Sequence, residues 1–376
     1  MKTKRIAVSI GISSGILIIG LIIFFSYKTS INRPQEPSKP YPYHTEEVTF
    51  ENIQAHVTLA GTLTLPSVSG NYPAVILISG SGAQNRDEEI SGHKPFLIIA
   101  DNLTKHGIAV LRYDDRGVAK STGNFKAATT ADFASDVASA VDFLKTRVEI
   151  DIDKIGLIGH SEGGLIAPMV ASNFKEVSFI VLLAGPGIEI NKVLLMQQEL
   201  ISRADGISES DIKEFILPVH KKAFQMISMS TDGRTLKTDL ARLIEETYDI
   251  TPTNLISSNM TREQVVSTQS DKWSSEWFRN FLNYDPASIL EKVTCPVLAL
   301  NGEKDLVVTP KENLSGISNA LKKGGNTNVT IKELPNLNHL FQNCETGSPA
   351  EYAKIEETFS PIALKEMADW ILKQVE

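Results

Sequence analysis

The chain has 376 residues, of which 42% are hydrophobic and 22% charged, with a formal net charge of −8. This composition is ordinary for a globular enzyme, and the length suffices for one large domain with an insertion or for two average domains. The net negative charge argues against a nucleic-acid partner, because proteins that bind nucleic acids usually carry a basic surface. The sequence also lacks a Lys/Arg cluster interleaved with aromatic residues.

The first element in chain order is an apolar segment. Residues 6–25 form a run of twenty residues without charge, and residues 2–5 before them are basic. That length suffices for a helix that crosses a bilayer, and the basic flank predicts that the N-terminus stays inside. We interpret residues 1–27 as an uncleaved signal anchor that holds an extracytoplasmic enzyme at the cell membrane, with secretion after signal-peptide cleavage as the alternative. The proline-rich residues 28–45 are interpreted as a spacer.

From residue 46 onward, strand-like and helix-like segments alternate. Two segments with alternating polarity, ending at Leu65, predict antiparallel strands. Buried strands are predicted at residues 72–78, 108–112, 154–158, 179–183, 295–300 and 329–334. Strands that alternate with helices are typical of a doubly wound, mostly parallel sheet. Residues 46–376 are therefore predicted to form one α/β domain.

The pentapeptide GHSEG at residues 159–163 is the most informative motif. It follows an apolar, strand-like run and precedes a helix-like run. G-x-S-x-G between a strand and a helix is typical of a nucleophile elbow, in which a strained turn presents the serine hydroxyl. Ser161 is therefore the candidate nucleophile. Because serine is a poor nucleophile at neutral pH, the site also needs a histidine base and a carboxylate that orients it.

Residues 187–285 interrupt the alternation with amphipathic helical patterns. An insertion at this point is expected to lie over the C-terminal edge of the sheet as a helical cap. Aromatic residues crowd its end, and Trp277, Phe278 and Phe281 are candidates for lining a substrate pocket. Packing of the cap onto the body is the equally good alternative, since aromatic residues dominate both environments.

The base and the acid are expected after the nucleophile, in the chain order serine, acid, histidine. Only His220 and His339 follow Ser161. His220 lies in a charged, helix-like stretch and is interpreted as part of a solvated face, whereas His339 follows a strand and is the predicted base. Asp305 and Glu303 lie in a loop after another strand. The shorter, stiffer Asp305 is the predicted acid, with an Asx-turn as its structural alternative.

Two backbone N–H groups are expected to stabilise the developing negative charge in an oxyanion hole. One is the N–H of Glu162, directly after the nucleophile. The other is expected from the loop of residues 79–82, after the first buried strand, where we assign the N–H of Ser81. A Gly/Ser turn without a catalytic role is the alternative.

Neither a metal nor a cofactor is predicted, because no His/Glu or Cys spacing typical of a metal site occurs. The two cysteines, Cys295 and Cys344, do not make a disulfide framework, and both are expected to be free thiols. The reaction is therefore expected to use only side chains and backbone groups.

These motifs together resemble those of the α/β-hydrolase superfamily, and within it the bacterial esterase D-like carboxylesterases. The resemblance extends from about residue 46 to the C-terminus. It rests on SGSG at residues 79–82, RYDDRG at 112–117, GHSEG at 159–163, NGEKD at 301–305, and Asn338-His339. It implies an α/β-hydrolase fold with a helical cap and hydrolysis of small carboxylic esters through an acyl-enzyme on Ser161. It also implies a structural role for the acidic turn at residues 114–116, outside the catalytic set.

The resemblance leaves other activities open. Related proteins include thioesterases and peptidases, so a thioesterase or a serine aminopeptidase-like activity on the same triad is the enzymatic alternative. An aminopeptidase would need a group for the substrate α-amine, which acidic cap residues such as Asp205 and Glu209 could supply. A non-catalytic, surface-anchored binding protein is a further alternative, and the complete set of predicted catalytic residues argues against it.

Overall fold

The computed structural model describes residues 33–256 and 259–376. The predicted signal anchor, residues 1–27, lies outside these residues, as does the beginning of the predicted spacer. Within the described ranges, no helix combines the length and the apolar character needed to cross a membrane.

An eight-stranded sheet forms the centre of the body. In chain order its strands are β1 (His44–Asn52), β2 (Val57–Leu65), β3 (Tyr72–Ile78), β4 (Ala109–Tyr113), β5 (Ile150–His160), β6 (Val177–Leu183), β7 (Val297–Gly302) and β8 (Val329–Leu334). Their spatial order is β1-β2-β4-β3-β5-β6-β7-β8. The pairs β1–β2 and β2–β4 are antiparallel and all others are parallel. The predicted mostly parallel sheet is confirmed.

Helices cover both faces of this sheet. In chain order the helices are α1 (Pro95–Lys105), α2 (Thr130–Lys145), α3 (Gly163–Ala171), α4 (Ile190–Ala204), α5 (Glu209–Asp211), α6 (Leu217–Met229), α7 (Gly233–Tyr248), α8 (Arg262–Ser274), α9 (Glu276–Leu282), α10 (Ala287–Leu290), α11 (Pro310–Lys323) and α12 (Pro361–Val375). Alternate residues of β3 belong to two cores: Ala74 and Ile76 pack with α2 and α3, while Val75 and Leu77 pack with α1 and α12. Both faces are apolar because both are covered, as in parallel sheets generally.

The segment between β6 and β7 contains helices α4 to α9, within the range predicted for the cap. A π-helical turn at Ile212–Ile216 joins α5 to α6. These helices pack around an apolar core of their own that includes Phe224 and Trp273. A smaller apolar cluster joins the cap to the body and includes Phe281 of α9, Ile190 of α4 and Leu165 of α3. The cap therefore lies against the helix that follows Ser161.

The chain changes its winding direction beside β3. From β3 it passes through α1 to β4 on one side, whereas β5 lies on the other side of β3. Loops that leave the carboxyl ends of strands at such a switch point diverge and leave a crevice between them. Residues 79–82 follow β3 and Ser161 follows β5. Asp305 and His339 follow β7 and β8 at the same edge, so the topology directs all the candidate residues to one edge of the sheet.

The described part of the predicted spacer, residues 33–43, lies against the body. Arg33 donates a hydrogen bond to the carbonyl of Ile355. The amide of Gln35 donates to the carbonyl of Phe359 at 2.7 Å and accepts from its N–H at 3.0 Å. These bonds attach the segment to the loop that precedes α12.

Candidate active site

Ser161 lies in the sharp turn between β5 and α3. Its φ of +53° is a left-handed conformation, which is strained for a residue with a side chain and clusters at functional sites. The turn is fixed because the Ser161 N–H donates to the carbonyl of Leu183 in β6 at 2.9 Å. A Cβ on Gly159 would collide with the carbonyl group of Gly163, so strand and helix approach this closely only with glycine there. The turn thus has the geometry that a nucleophile elbow requires.

Asp305 and His339 form a buried pair. His339 Nδ1 donates to Asp305 Oδ2 at 2.8 Å. The other carboxylate oxygen of Asp305 accepts the N–H groups of Val307 and Val308 at 2.8 and 2.9 Å, which fixes the carboxylate in its loop. The bond to Asp305 orients the imidazole ring, so that in its neutral form Nε2 is the nitrogen that accepts a proton.

His160 links the serine turn to the His339 loop. The two imidazole rings lie 4.9 Å apart between centroids, and His160 Nε2 donates to the carbonyl of His339 at 3.0 Å. Ser161, the next residue, therefore sits beside the Asp305–His339 pair. No hydrogen bond joins Ser161 to His339 in the part of the chain that the structure describes. Catalytic hydrogen bonds are often long without substrate and shorten in the complex.

The loop of residues 79–82 lies directly over the serine. A Cβ on Gly80 would stand 3.1 Å from the Cβ of Ser161. The N–H of Gly80 is already occupied by Glu88 Oε1 at 2.6 Å. Within the described ranges, neither the Ser81 N–H nor the Glu162 N–H donates to a protein acceptor. These two N–H groups are the ones assigned to the oxyanion hole, and they remain available to a substrate.

The side chain of Glu162 has a role that the sequence did not reveal. Its carboxylate is buried and accepts hydrogen bonds from Thr130 Oγ1 at 2.6 Å, Ser81 Oγ at 2.7 Å and Trp277 Nε1 at 3.0 Å. Burial raises the pKa of Glu162 above its usual value, and the three hydrogen bonds oppose that shift only in part. The carboxylate of Glu162, the residue after Ser161, is therefore hydrogen-bonded to the loop after β3, to helix α2 and to the cap. The only sequence signal was a glutamate between small and apolar residues.

The acidic turn at residues 114–116, after β4, stabilises the loop that follows β3. Asp115 is buried and accepts hydrogen bonds from Ser79 Oγ at 2.8 Å and from the N–H of Gln84 at 3.0 Å. Asp114 pairs with Arg86 at 2.8 Å, and Arg116 pairs with the buried Asp136 at 2.7 Å. Burial raises the pKa of Asp115 well above its usual value. These contacts fit the structural role that the resemblance implies for residues 114–116, with Asp115 holding the loop above Ser161.

The three candidate pocket residues occupy different environments. Trp277 is partly exposed, stacks on Phe281 at 5.0 Å between ring centroids, and contacts the site through Glu162. Phe281 belongs to the apolar cluster that joins the cap to Leu165 of the body. Phe278 lies in the apolar core of the cap. Phe278 and Phe281 thus have the packing contacts that the alternative interpretation expects, and Trp277 is the one that contacts the site.

The interpretation of His220 as part of a solvated face is wrong. His220 is buried inside the cap, where its ring packs edge-on against Phe224 and Trp273 and its Nδ1 donates to the carbonyl of Ile216 at 2.8 Å. Burial lowers the pKa of His220 to about 4. The charged residues beside it in the sequence lie on the outer face of α6, and this misled the interpretation. His220 still lies in the cap core rather than beside Asp305.

The cysteines and potential metal ligands add no chemistry to the site. Cys295 and Cys344 are free thiols, as predicted. Burial raises the pKa of each to about 11, so both are poor nucleophiles at neutral pH. Among residues 33–256 and 259–376, no group of three or more His, Cys, Asp or Glu side chains is arranged to hold a metal ion.

Comparison with known proteins gives sequence relatives of two kinds. A family model described as serine aminopeptidase, S33, matches residues 94–345, about two-thirds of the chain. Esterase EstD of Thermotoga maritima is 27% identical over 335 residues, which cover 88% of this chain and 70% of that protein. Both findings confirm the predicted resemblance to α/β-hydrolases and to esterase D-like enzymes.

Solved structures share the fold at lower identity. The α/β-hydrolase GrgF from Penicillium sp. sh18 has a TM-score of 0.53 and 18% identity, and the match covers 88% of this chain and 99% of GrgF. An esterase from Pyrococcus furiosus has a TM-score of 0.51 and 17% identity, with 92% and 97% of the two chains covered. At this identity the likeness shows the α/β-hydrolase fold alone.

Proposed function

This chain belongs to the hydrolase family described as serine aminopeptidase, S33, and from that premise we propose that it cleaves small carboxylic esters through an acyl-enzyme on Ser161. One observation carries the proposal: the Asp305–His339 pair, joined at 2.8 Å, is hydrogen-bonded through the carbonyl of His339 to His160, the residue before a serine in a strained turn. The name of the sequence relative from Thermotoga maritima, an esterase, supports an ester substrate.

The proposed reaction has two halves. Ser161 Oγ attacks the ester carbonyl carbon while His339 Nε2 accepts the hydroxyl proton, and Asp305 stabilises the imidazolium that forms. The Ser81 and Glu162 N–H groups stabilise the tetrahedral oxyanion. His339 then donates the proton to the departing alcohol, which leaves an acyl-enzyme. In the second half His339 takes a proton from water, the hydroxide attacks the acyl carbon, and the carboxylic acid leaves as Ser161 regains its proton.

Hydrolysis of short p-nitrophenyl esters tests this proposal. The Ser161→Ala variant is expected to retain less than about a thousandth of the wild-type kcat/KM, because residues of a triad act as a unit. Ser210→Ala, which removes an exposed hydroxyl from the cap, is the matched control and should keep the wild-type rate. A Ser161→Ala variant with substantial ester turnover would refute the assignment of the nucleophile.

An aminopeptidase is the second candidate, favoured by the description of the matching family. Two of the acidic cap residues considered for the substrate amine already have protein partners. Asp205 accepts a hydrogen bond from Ser348 at 3.1 Å, and Glu209 pairs with Arg203. Ester cleavage is therefore the first choice. Efficient turnover of aminoacyl p-nitroanilides with negligible turnover of esters would reverse the order, and the same assay with acyl thioesters tests thioesterase activity.

We also propose that the enzyme is held at the outer face of the cell membrane by residues 1–27. The support is the charge-free run at residues 6–25 behind a basic N-terminus. An acidic body would be repelled by anionic lipid, so a helix is the means of attachment that fits the charge pattern.

A further inference from the structure

A second histidine–carboxylate pair lies behind the serine turn. His160 Nδ1 donates to Glu88 Oε1 at 2.9 Å, and both side chains are almost completely buried. Glu88 has a φ of +49°, an unfavourable conformation that persists only where the surrounding contacts enforce it. The proposed reaction uses neither side chain, although His160 is bonded directly to Ser161 in the chain.

The hydrogen bonds of His160 define its protonation state. Nε2 faces the carbonyl oxygen of His339 at 3.0 Å, and a carbonyl can only accept. Nδ1 faces Glu88 Oε1, which also accepts the N–H of Gly80 at 2.6 Å. The short bond from the Gly80 N–H fits an ionised carboxylate, which can only accept. With Glu88 ionised, both ring nitrogens are donors, and His160 is an imidazolium paired with that carboxylate.

This ion pair is linked to three loops of the proposed catalytic site. Through Glu88 it holds Gly80, the residue before the assigned oxyanion donor Ser81. Through Nε2 it holds the backbone of His339. Through the chain it is joined to Ser161. The loops that follow β3, β5 and β8 thus meet at one buried pair, outside the Asp305–His339 pair itself.

We propose that Glu88 and His160 form a positioning pair, which holds the oxyanion loop and the His339 loop around Ser161 only while His160 is protonated. The inference rests on the proposed serine-hydrolase function. When His160 loses its proton, one of its two donor bonds is lost, and either the oxyanion loop or the His339 loop loses its support. Neither residue is proposed to touch the substrate.

The charged groups around His160 determine the direction in which its pKa is shifted. Burial disfavours the imidazolium, but the charge and hydrogen bond of Glu88, the carbonyl of His339 and the charge of Asp305 outweigh it and raise the pKa of His160 above its ordinary value. The ring of His339 also faces it. A raised pKa means that the protonated arrangement is complete below the ordinary pKa of histidine and is lost as the pH rises through the folded-state pKa. Activity is therefore expected to have an alkaline limit, a pH above which it falls because His160 loses its proton.

Phosphonylation of Ser161 by a fluorophosphonate probe, followed as a function of pH, tests the pair without depending on the natural substrate. Glu88→Gln removes the main charge that holds the proton on His160. We expect its labelling rate at pH 7 to fall about tenfold to a hundredfold, as for a small misplacement of reacting groups. We also expect its alkaline limit to move down by about one pH unit or more. His160→Gln should lose that alkaline limit, since no titrating group remains at this position.

His93→Gln is the matched control. His93 is also buried, with both ring nitrogens in hydrogen bonds to Thr358 and to the carbonyl of Tyr352, but burial lowers its pKa to about 4. Its replacement should leave the alkaline limit of labelling unchanged. An alkaline limit in Glu88→Gln at the wild-type pH would overturn the proposal, even with a lower rate, because a merely structural role predicts that result.

A measurement on the wild-type protein covers the case in which a variant fails to fold. Nitrogen-15 NMR of labelled histidine side chains reports the protonation of each ring nitrogen. The signals of His160 can be assigned from the spectrum of a folded His160 variant or by the bond of His160 to the His339 carbonyl. Protons on both nitrogens of His160 at pH 7 support the pair, and a neutral ring overturns it. Labelling of Ser161 without ester hydrolysis would instead reject only the ester substrate.

Discussion

Trp277 of the cap donates a hydrogen bond from Nε1 to the carboxylate of Glu162, the residue after Ser161, at 3.0 Å. The same carboxylate accepts the hydroxyl of Ser81 at 2.7 Å. The cap is therefore connected through one buried carboxylate to both residues whose N–H groups we assign to the oxyanion hole. The position of the cap and the geometry of the site are expected to depend on each other.

Trp277→Phe tests this connection. The variant keeps an aromatic ring against Phe281 but removes the donor to a buried carboxylate, so we expect kcat/KM to fall roughly tenfold, as for the loss of a hydrogen bond to a charged group. Steady-state ester hydrolysis measures the effect. Trp273→Phe is the control, because Trp273 lies in the core of the cap, whereas Trp277 is the tryptophan that donates to Glu162. It should lower stability and leave kcat/KM near the wild-type value. Equal losses in both variants would contradict the connection.

Lys272 gives a prediction about stability. Its ammonium group is buried in the cap without a hydrogen-bond partner among the described residues, and burial lowers its pKa to about 7. The unfolded chain therefore binds more protons at this residue between about pH 7 and its ordinary pKa near 10.4, so this lysine makes the protein more stable as the pH rises through that window. Lys272→Met should remove this dependence and stabilise the protein at pH 7 by roughly 1–3 kcal/mol.

Denaturant unfolding at pH 7 and pH 9 measures the Lys272→Met effect. The exposed Lys221 on α6 is the matched control, and Lys221→Met should change stability by less than about 0.5 kcal/mol at either pH. A Lys272→Met variant that is less stable than the wild type at pH 7 would mean that the lysine is charged and satisfied in the folded protein.

The segment at residues 33–43 is expected to belong to the folded enzyme. Gln35 bonds the backbone of Phe359, whose ring stacks on Phe341 at 5.2 Å, two residues after His339. A variant that begins at Arg33 should keep the wild-type activity and melting temperature. One that begins at His44 should lose roughly 1–3 kcal/mol of stability, since several hydrogen bonds are removed. Equal thermal unfolding of the two variants would show that the segment contributes nothing.

Fractionation of cells tests the proposed membrane anchor. The full chain should pellet with membranes, and protease added outside intact cells should release an active body. A mature protein whose N-terminus lies after residue 25 would show that the segment is a cleaved signal peptide instead.

Much of the fold could be predicted because its signals are local. Apolar runs identified the strands, and the order of strands and helices identified the parallel sheet, since crossover connections allow few other arrangements. Ser161, His339 and Asp305 were assigned from motif, order and position after strands. Whether they carry the reaction stays a prediction that the close contact of Asp305 and His339 supports.

Other features of the site could not be found because they depend on contacts between distant segments. Glu88 and His160 are 72 positions apart, and Glu162 and Trp277 are 115 apart. Around Glu162 the only sequence signal for burial was its small and apolar neighbours, and the polar sequence around Glu88 gave none. His220 was misassigned for the related reason that its charged sequence neighbours lie on the opposite face of the same helix. Pairing across the fold, rather than residue type, creates these interactions.

Covalent labelling with a fluorophosphonate, followed by mass spectrometry of the proteolysed protein, identifies the nucleophile. We expect one phosphonyl adduct, on Ser161, that forms at least about a hundredfold more slowly in Asp305→Asn and His339→Gln, because both variants disable the base that activates the serine. An adduct on another residue, or labelling of Ser161 at the wild-type rate in both variants, would contradict this assignment.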